Sequence, residues 1–169
     1  VQRGKNDAND AAAICEAASR PHMKFVSTKN ETAQAMQLVH RARSLTMRNR
    51  VSLLNEIRST LAEFGVACKT LGAACTRSTL MATIHEASQL FPAPLPELLQ
   101  LLADRLDGLD AELKRLDVML DAHVKASEVV QRLMAIGGVG PITASAMECS
   151  VPDIGAFKTS RDFGAWLGL

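Results

Sequence analysis

The run Leu99-Gln100-Leu101-Leu102-Ala103-Asp104-Arg105-Leu106-Asp107-Gly108-Leu109-Asp110-Ala111-Glu112-Leu113-Lys114-Arg115-Leu116-Asp117-Val118-Met119-Leu120 decides the architecture of this chain. Its leucines at 99, 102, 106, 109, 113, 116 and 120 step by three and four without a miss. That spacing fills successive a and d positions of a heptad, the mark of a helix packed along a narrow seam against another helix. Gly108 costs the helix about 1 kcal/mol relative to alanine, which the seam leucines outweigh. Two partners satisfy the seam equally well: another long helix of this chain, or the same helix of a second copy.

Immediately upstream, Phe91-Pro92-Ala93-Pro94-Leu95-Pro96 carries three prolines and reads as a hinge. Residues 65–96 are otherwise irregular, with one helix-like stretch near 78–89. Before them, residues 31–64 contain no Gly or Pro. Met47, Val51, Leu54, Ile57, Leu61 and Phe64 recur there at the helical period, and Gly65 supplies a stop. The expected fold is therefore mainly α, with long helices over 31–64 and 97–131 folded back through the proline hinge into an antiparallel coiled coil. At the N-terminus, Asn6-Asp7 opens a short Ala-rich helix that Arg20-Pro21 stops, and His22-Met23-Lys24-Phe25-Val26 follows as an extended segment.

Composition agrees with helices. Hydrophobic residues make up 47% of the 169, aromatics only 4%, and Tyr is absent, so the core must come from aliphatic side chains. The net charge of +1 is uninformative, but its distribution is uneven. Residues 1–60 hold ten Lys/Arg against five Asp/Glu, whereas residues 92–130 hold four against eight. A basic front half suits a polyanion, and both regions are equally compatible with ordinary solvated helix faces. Cys15, Cys68, Cys75 and Cys149 lack zinc-knuckle spacing, and the histidines are scattered. No apolar run approaches 18 residues and no signal peptide is visible, so no membrane partner is expected. The expectation is a cytoplasmic chain with reduced thiols and no Cys/His metal centre.

Two local patterns carry chemistry. In Leu133-Met134-Ala135-Ile136-Gly137-Gly138-Val139-Gly140-Pro141-Ile142-Thr143-Ala144, one helix ends, three glycines turn, and Pro141 opens another. A helix-hairpin-helix turn of this kind, with Gly138 and Gly140, exposes backbone N–H groups that grip a phosphate without reading a base. A plain helical turn that only packs accounts for the same residues. Asp7 and Asp10, three apart on a helix, share a face and offer hard oxygens to Mg²⁺. The same spacing also fits a helix start, where acids favour the dipole.

Taken together, these segments resemble the bacterial insertion-sequence one-ten/one-sixteen family, DEDD transposases described as RNA-guided recombinases. Arg3-Gly4-Lys5-Asn6-Asp7-Ala8-Asn9-Asp10-Ala11 is similar to the family's Lys-Thr/Asn-Asp-x-x-Asp-Ala motif, which carries the last two of four acids of a RuvC-like domain. Gln37-Leu38-Val39-His40-Arg41-Ala42-Arg43 and Asn55-Glu56-Ile57-Arg58 resemble its long linker helix. Ile136-Gly137-Gly138-Val139-Gly140-Pro141-Ile142-Thr143-Ala144 is similar to the opening of its second domain, and Phe157–Leu169 to the stretch before its catalytic serine.

The resemblance implies three parts: a C-terminal remnant of the RuvC-like domain over 1–29, a helical coiled-coil linker over 30–131, and the start of the transposase domain over 132–169. It implies Asp7 and Asp10 as catalytic Mg²⁺ ligands. It further implies Lys5, Arg41, Arg43, Arg48 and Arg50, with Gly138 and Gly140, as nucleic-acid contacts. DNA, a guide RNA and further copies of the chain are the expected partners. On this reading the other two acids lie upstream of Val1 and the serine downstream of Leu169, so the chain is expected to be a fragment. The competing expectation is a non-enzymatic helical module for DNA binding or oligomerisation.

Overall fold

A computed structural model describes residues 6–23, 25, 27–66, 76–87, 91–151 and 153–167. In chain order the elements are α1 (Asp7–Ser19), α2 (Glu31–Glu63), α3 (Arg77–Glu86), α4 (Leu95–Ala126), α5 (Glu128–Met134), α6 (Pro141–Ser150), a 3₁₀ turn (Ile154–Ala156) and α7 (Ser160–Leu167). The protein is mainly α, and the described residues contain no strand. It forms two compact units, Lys29–Ile154 and the pair of segments Val1–Thr28 and Gly155–Leu169.

In the larger unit α2 and α4 lie side by side, more extensively packed than any other pair of helices. Side-chain hydrogen bonds cross between them from Arg43 to Asp117, from Thr46 to Glu112 and from Arg50 to Asp110. Position numbers fall along α4 as they rise along α2, so the helices are antiparallel. Leu99, Leu106, Leu113 and Leu120 are buried, whereas Leu102, Leu109 and Leu116 are half-buried. The other flank of the buried row is formed by Ala103, Asp110, Asp117 and Val124, again seven apart. The contact face of α4 is therefore wider than a leucine seam and contains two carboxylates.

Those carboxylates explain why α2 departs around Met47 and Val51 from the face its apolar period suggests. Met47 and Val51, expected in the seam, are 38% and 49% exposed. Leu54, Ile57 and Leu61 of the expected row are buried, and Thr46, Arg50 and Leu53 join them in place of Met47 and Val51. Rotating α2 to bury Met47 and Val51 would turn Arg43 and Arg50 away from Asp117 and Asp110, and unpaired carboxylates in a helix interface are costly. These polar contacts lie between an apolar cluster that α2 and α4 share and a second cluster built by α4, α5 and α6. One cluster joins Leu53, Leu54, Ile57 and Leu61 with Leu80 and Ile84 of α3 and with Leu95, Leu99, Ala103 and Leu106. The other, at the opposite end, joins Val124, Val130 and Ala144, with Leu133, Met134 and Val139 against them.

Helix ends follow local chemistry. Asn30 caps α2 by accepting from the Ala33 amide at 2.7 Å. At its other end Gly65 adopts φ 78°, and the amides of Gly65 and Val66 donate back to the Ala62 and Leu61 carbonyls. These are the paired bonds of a Schellman stop, which needs a left-handed residue. The helix expected over 97–131 is broken: Ser127 leaves the helical region with ψ 116° and its Oγ accepts from the Val130 amide at 3.2 Å. Ser127 thereby ends α4 and starts α5 as a new N-cap, a choice serine makes more readily than alanine or leucine. Between α5 and α6, Gly138 has φ 88°, and Gly140 precedes Pro141, the first residue of α6.

In the smaller unit, α1 buries none of its residues. Its last turn carries an Arg20–Glu16 ion pair on the surface. Within 155–169, Thr159 and Asp162 cap α7 reciprocally, each side chain accepting from the other's amide at 3.1 Å. Phe157, Phe163 and Trp166 gather there with ring centroids 5.2 to 6.1 Å apart.

Replacing Arg50 by Ala should cost about 2–3 kcal/mol, below the 3–5 of a fully buried pair because Asp110 keeps some solvent. The double change Arg50→Met with Asp110→Leu should recover most of that loss in urea denaturation, and no recovery would mean the pair does not govern this interface. The glycines should separate by backbone geometry. Gly138→Ala should destabilise by about 1–2 kcal/mol through its positive φ, while Gly108→Ala, in open space on α4, should stabilise by about 1 kcal/mol. Thermal melts of the two variants check the sign of each.

Candidate functional site

Asp7 and Asp10 both lie in the first turn of α1, and both are exposed. The capping of this helix falls to neither. Asn6 takes that position, its Oδ1 accepting from the Asn9 amide at 2.8 Å, and the Asp10 amide donates to the Asn6 carbonyl at 3.2 Å. Among the described residues no hydrogen bond or ion pair engages either carboxylate. Three positions apart on one helix, the two groups project from the same face. Such a pair suits a hard divalent cation such as Mg²⁺, which takes carboxylate oxygens and keeps much of its water. It supplies only part of a ligand set, and no third carboxylate joins it among the described residues.

The four arginines expected to form one basic surface on α2 separate into two pairs. Arg41 and Arg48, seven apart, are exposed. Arg43 and Arg50, also seven apart, turn into the helix interface. The Arg43 Nε donates to Asp117 at 2.6 Å, and the Arg50 guanidinium is held by Asp110 with only 10% of its side chain exposed. Unlike those of Arg41 and Arg48, their guanidiniums are engaged with carboxylates of the helix pair. Lys5 lies outside the described residues.

The glycine turn is exposed from Ile136 to Gly138, and Gly140 is exposed as well. The Val139 amide donates to the Ile136 carbonyl at 3.1 Å, closing the turn, and the Ala144 amide donates to Gly140 at 2.9 Å. No side chain caps α6. Because Pro141 has no N–H, the amides of Ile142 and Thr143 are the first-turn donors left without an intrahelical acceptor, at the positive end of the helix dipole.

A polar cluster that spacing did not reveal lies where α2, α4 and α6 meet. The His40 Nε2 is 3.0 Å from the Oγ of Ser145, which is fully buried. Burial, with His123 and Arg43 nearby, holds the His40 imidazole below its ordinary value. His123 Nε2 lies 2.7 Å from one Glu148 oxygen, and Ser127 Oγ donates to the other at 2.6 Å. Cys149, one residue on, is buried, and its thiol is pushed up by burial first and by the Glu148 charge second. Beside this cluster a cleft of about 260 Å³ is lined by Gln37, His40, Arg41, Ala146 and Ser150. Four positions separate Ser145 from Cys149, a signal that they share a face of α6; nothing in the sequence brings His40 and His123 to that face. His85 and Glu86, adjacent in sequence, are both exposed.

Comparison with known proteins gives the site its context. Residues 1–65 match the DEDD transposase family model of the IS110 type, and residues 130–169 match the transposase IS116/IS110/IS902 family. Over its whole length the chain is 46% identical to half of a protein of Pseudomonas aeruginosa named a probable family 20 transposase. It is likewise 39% identical to the transposase for insertion sequence element IS1328 of Yersinia enterocolitica, covering 49% of that protein. The transposase for insertion sequence element IS1111A of Coxiella burnetii shares 36% identity, with 46% of its length covered. The chain thus spans about half the length of the curated relatives it matches. No solved structure matches it. With one family model at each end and relatives aligned over every residue between, the chain belongs to the IS110/IS116 family of insertion-sequence transposases.

Proposed function

We propose that this chain is the part of a DNA transposase that supplies two carboxylates of its acidic metal site, a nucleic-acid-binding helical unit and the entry to its second domain. The observation that carries the reading is the division of labour at the start of α1. Asn6 caps the helix, so Asp7 and Asp10 are spare for another task. In the parts expected from sequence, 1–29 contributes to a RuvC-like site, 30–131 is the helical linker, and 132–169 opens the transposase domain. The family matches at 1–65 and 130–169 support that order.

Asp7 and Asp10 would hold a divalent ion, Mg²⁺ by their hard-oxygen chemistry. Bound there, the ion supplies Lewis-acid activation for phosphodiester transfer. The DNA and guide RNA proposed as ligands would meet Arg41 and Arg48 through phosphates, and the exposed Ile142 and Thr143 amides behind Gly138 and Gly140 would grip a further phosphate as in a helix-hairpin-helix. Lys5, two residues before Asp7, is proposed as another phosphate contact. Assembly into oligomers would use the outer faces of the helix pair, because the inner face is filled within one chain. Leu38, Leu45, Leu98, Leu101 and Val118 are exposed there, each between 45% and 68%. Among the described residues no helix is long and apolar enough to cross a membrane.

Two experiments test this reading. Placed in a full-length transposase frame, Asp7→Asn or Asp10→Asn should abolish recombination without altering circular dichroism. Asparagine keeps the size of the side chain and loses the charge that holds the ion. Wild-type recombination by both variants would remove these residues from the catalytic site. For nucleic acid, Arg41→Gln with Arg48→Gln should lower duplex affinity and reduce the slope of log affinity against log salt by about 2, roughly one per lost phosphate contact. Arg43→Gln should leave that slope unchanged, and an equal effect from Arg43 would reject the division of the arginines.

A further inference from the structure

We propose that His123, Glu148 and Cys149 form a second metal site, specific for a borderline divalent transition ion of the zinc class and independent of the acidic pair on α1. Their ligand atoms all lie within 4.8 Å of one another, although they come from the last turn of α4 and the last turn of α6. Nitrogen, oxygen and sulfur donors together suit zinc or cobalt far better than Mg²⁺, which prefers oxygen alone. Charge favours the same ion: thiolate, carboxylate and neutral imidazole bring two negative charges, so a divalent cation leaves the half-buried site neutral. Without the ion, a buried thiol sits beside a carboxylate whose charge opposes its ionisation.

The surroundings are those of an oriented site. Ser127 holds the Glu148 oxygen that faces away from His123. Ser145, fully buried and four positions before Cys149 on α6, is itself met by His40. Outer partners of this kind fix ligands in place and tune their affinity. On binding, the Cys149 S–H bond breaks, a metal–sulfur bond forms, and the thiol proton leaves to solvent. The His123 proton shifts to Nδ1, so that Nε2 offers its lone pair to the ion instead of bonding Glu148. Three protein ligands leave one position for water or a further donor. Because the ligands span α4 and α6, the ion would clamp the glycine turn's second helix onto the long helix pair.

Cobalt titration of the metal-free, reduced 169-residue chain tests the site directly. One Co²⁺ per chain should produce a near-ultraviolet thiolate-to-cobalt charge-transfer band, which Zn²⁺ then displaces. Cys149→Ser should remove the band, and the Asp7→Asn, Asp10→Asn double variant should retain it. Zn²⁺ should raise the Tm of the wild-type chain by several degrees and leave that of His123→Gln unmoved, since only the folded site binds the ion. Circular dichroism confirms that each variant is folded, and Ser127→Ala, which keeps all three ligands but removes the outer partner of Glu148, should weaken cobalt binding roughly tenfold. Absence of the band in the wild-type chain overturns the proposal, as does a band that survives Cys149→Ser.

Discussion

Two guanidinium–carboxylate pairs, Arg43 with Asp117 and Arg50 with Asp110, determine how the larger unit is put together. Leucines repeating every seven residues tolerate sliding by one heptad, because one leucine replaces another in the same hole. Charges do not. A slip by seven would set Ile57 against Asp110 and Arg43 against Val124, leaving a carboxylate and a guanidinium in an interface with no partner. These pairs therefore supply register, and the apolar cluster around Ile57, Leu61, Leu99 and Leu106 supplies burial. With register set, His40 on α2 falls opposite Ser145 on α6, and the cleft beside it takes its shape.

The long helices were legible in the sequence because their signals are local: the unbroken leucine period, the three prolines, and Gly65 with the left-handed stop it permits. What the period could not show was which face of α2 is buried. Leu54, Ile57 and Leu61 are buried as the period suggests, but Met47 and Val51 belong to the same apolar row and are exposed, because the acids at 110 and 117 hold Arg50 and Arg43 in the interface. The break at Ser127 was hidden for a related reason. A serine inside a helical pattern is neutral by propensity, and whether it caps or continues depends on what α5 can pack against. Val130 is fully buried once α5 turns toward α6, and that burial lies in tertiary structure.

At the candidate sites the same distinction holds. Asn6, Asp7 and Asp10 are all competent helix-start residues, and side-chain chemistry alone does not choose among them. One hydrogen bond, from the Asn9 amide to Asn6, makes the choice and turns a run of polar residues into a cap followed by two spare acids. The histidine cluster was illegible altogether. His40 and His123 belong to helices that run in opposite directions, and Glu148 and Cys149 to a third, so their convergence is a product of packing and leaves no spacing to recognise.

The antiparallel course of α2 and α4 makes the larger unit a stalk whose chain enters and leaves at one end. Gln37 and Ser150, near those two crossings, are within 3.5 Å of each other. At about 1.5 Å per residue, the 33 residues of α2 carry the chain about 50 Å out to a tip formed around α3 and the Phe64–Phe91 ring contact before it returns. A force applied at that tip therefore acts on the base through the full length of the helix pair, and the ion pairs at its middle are what resist the two helices sliding past each other.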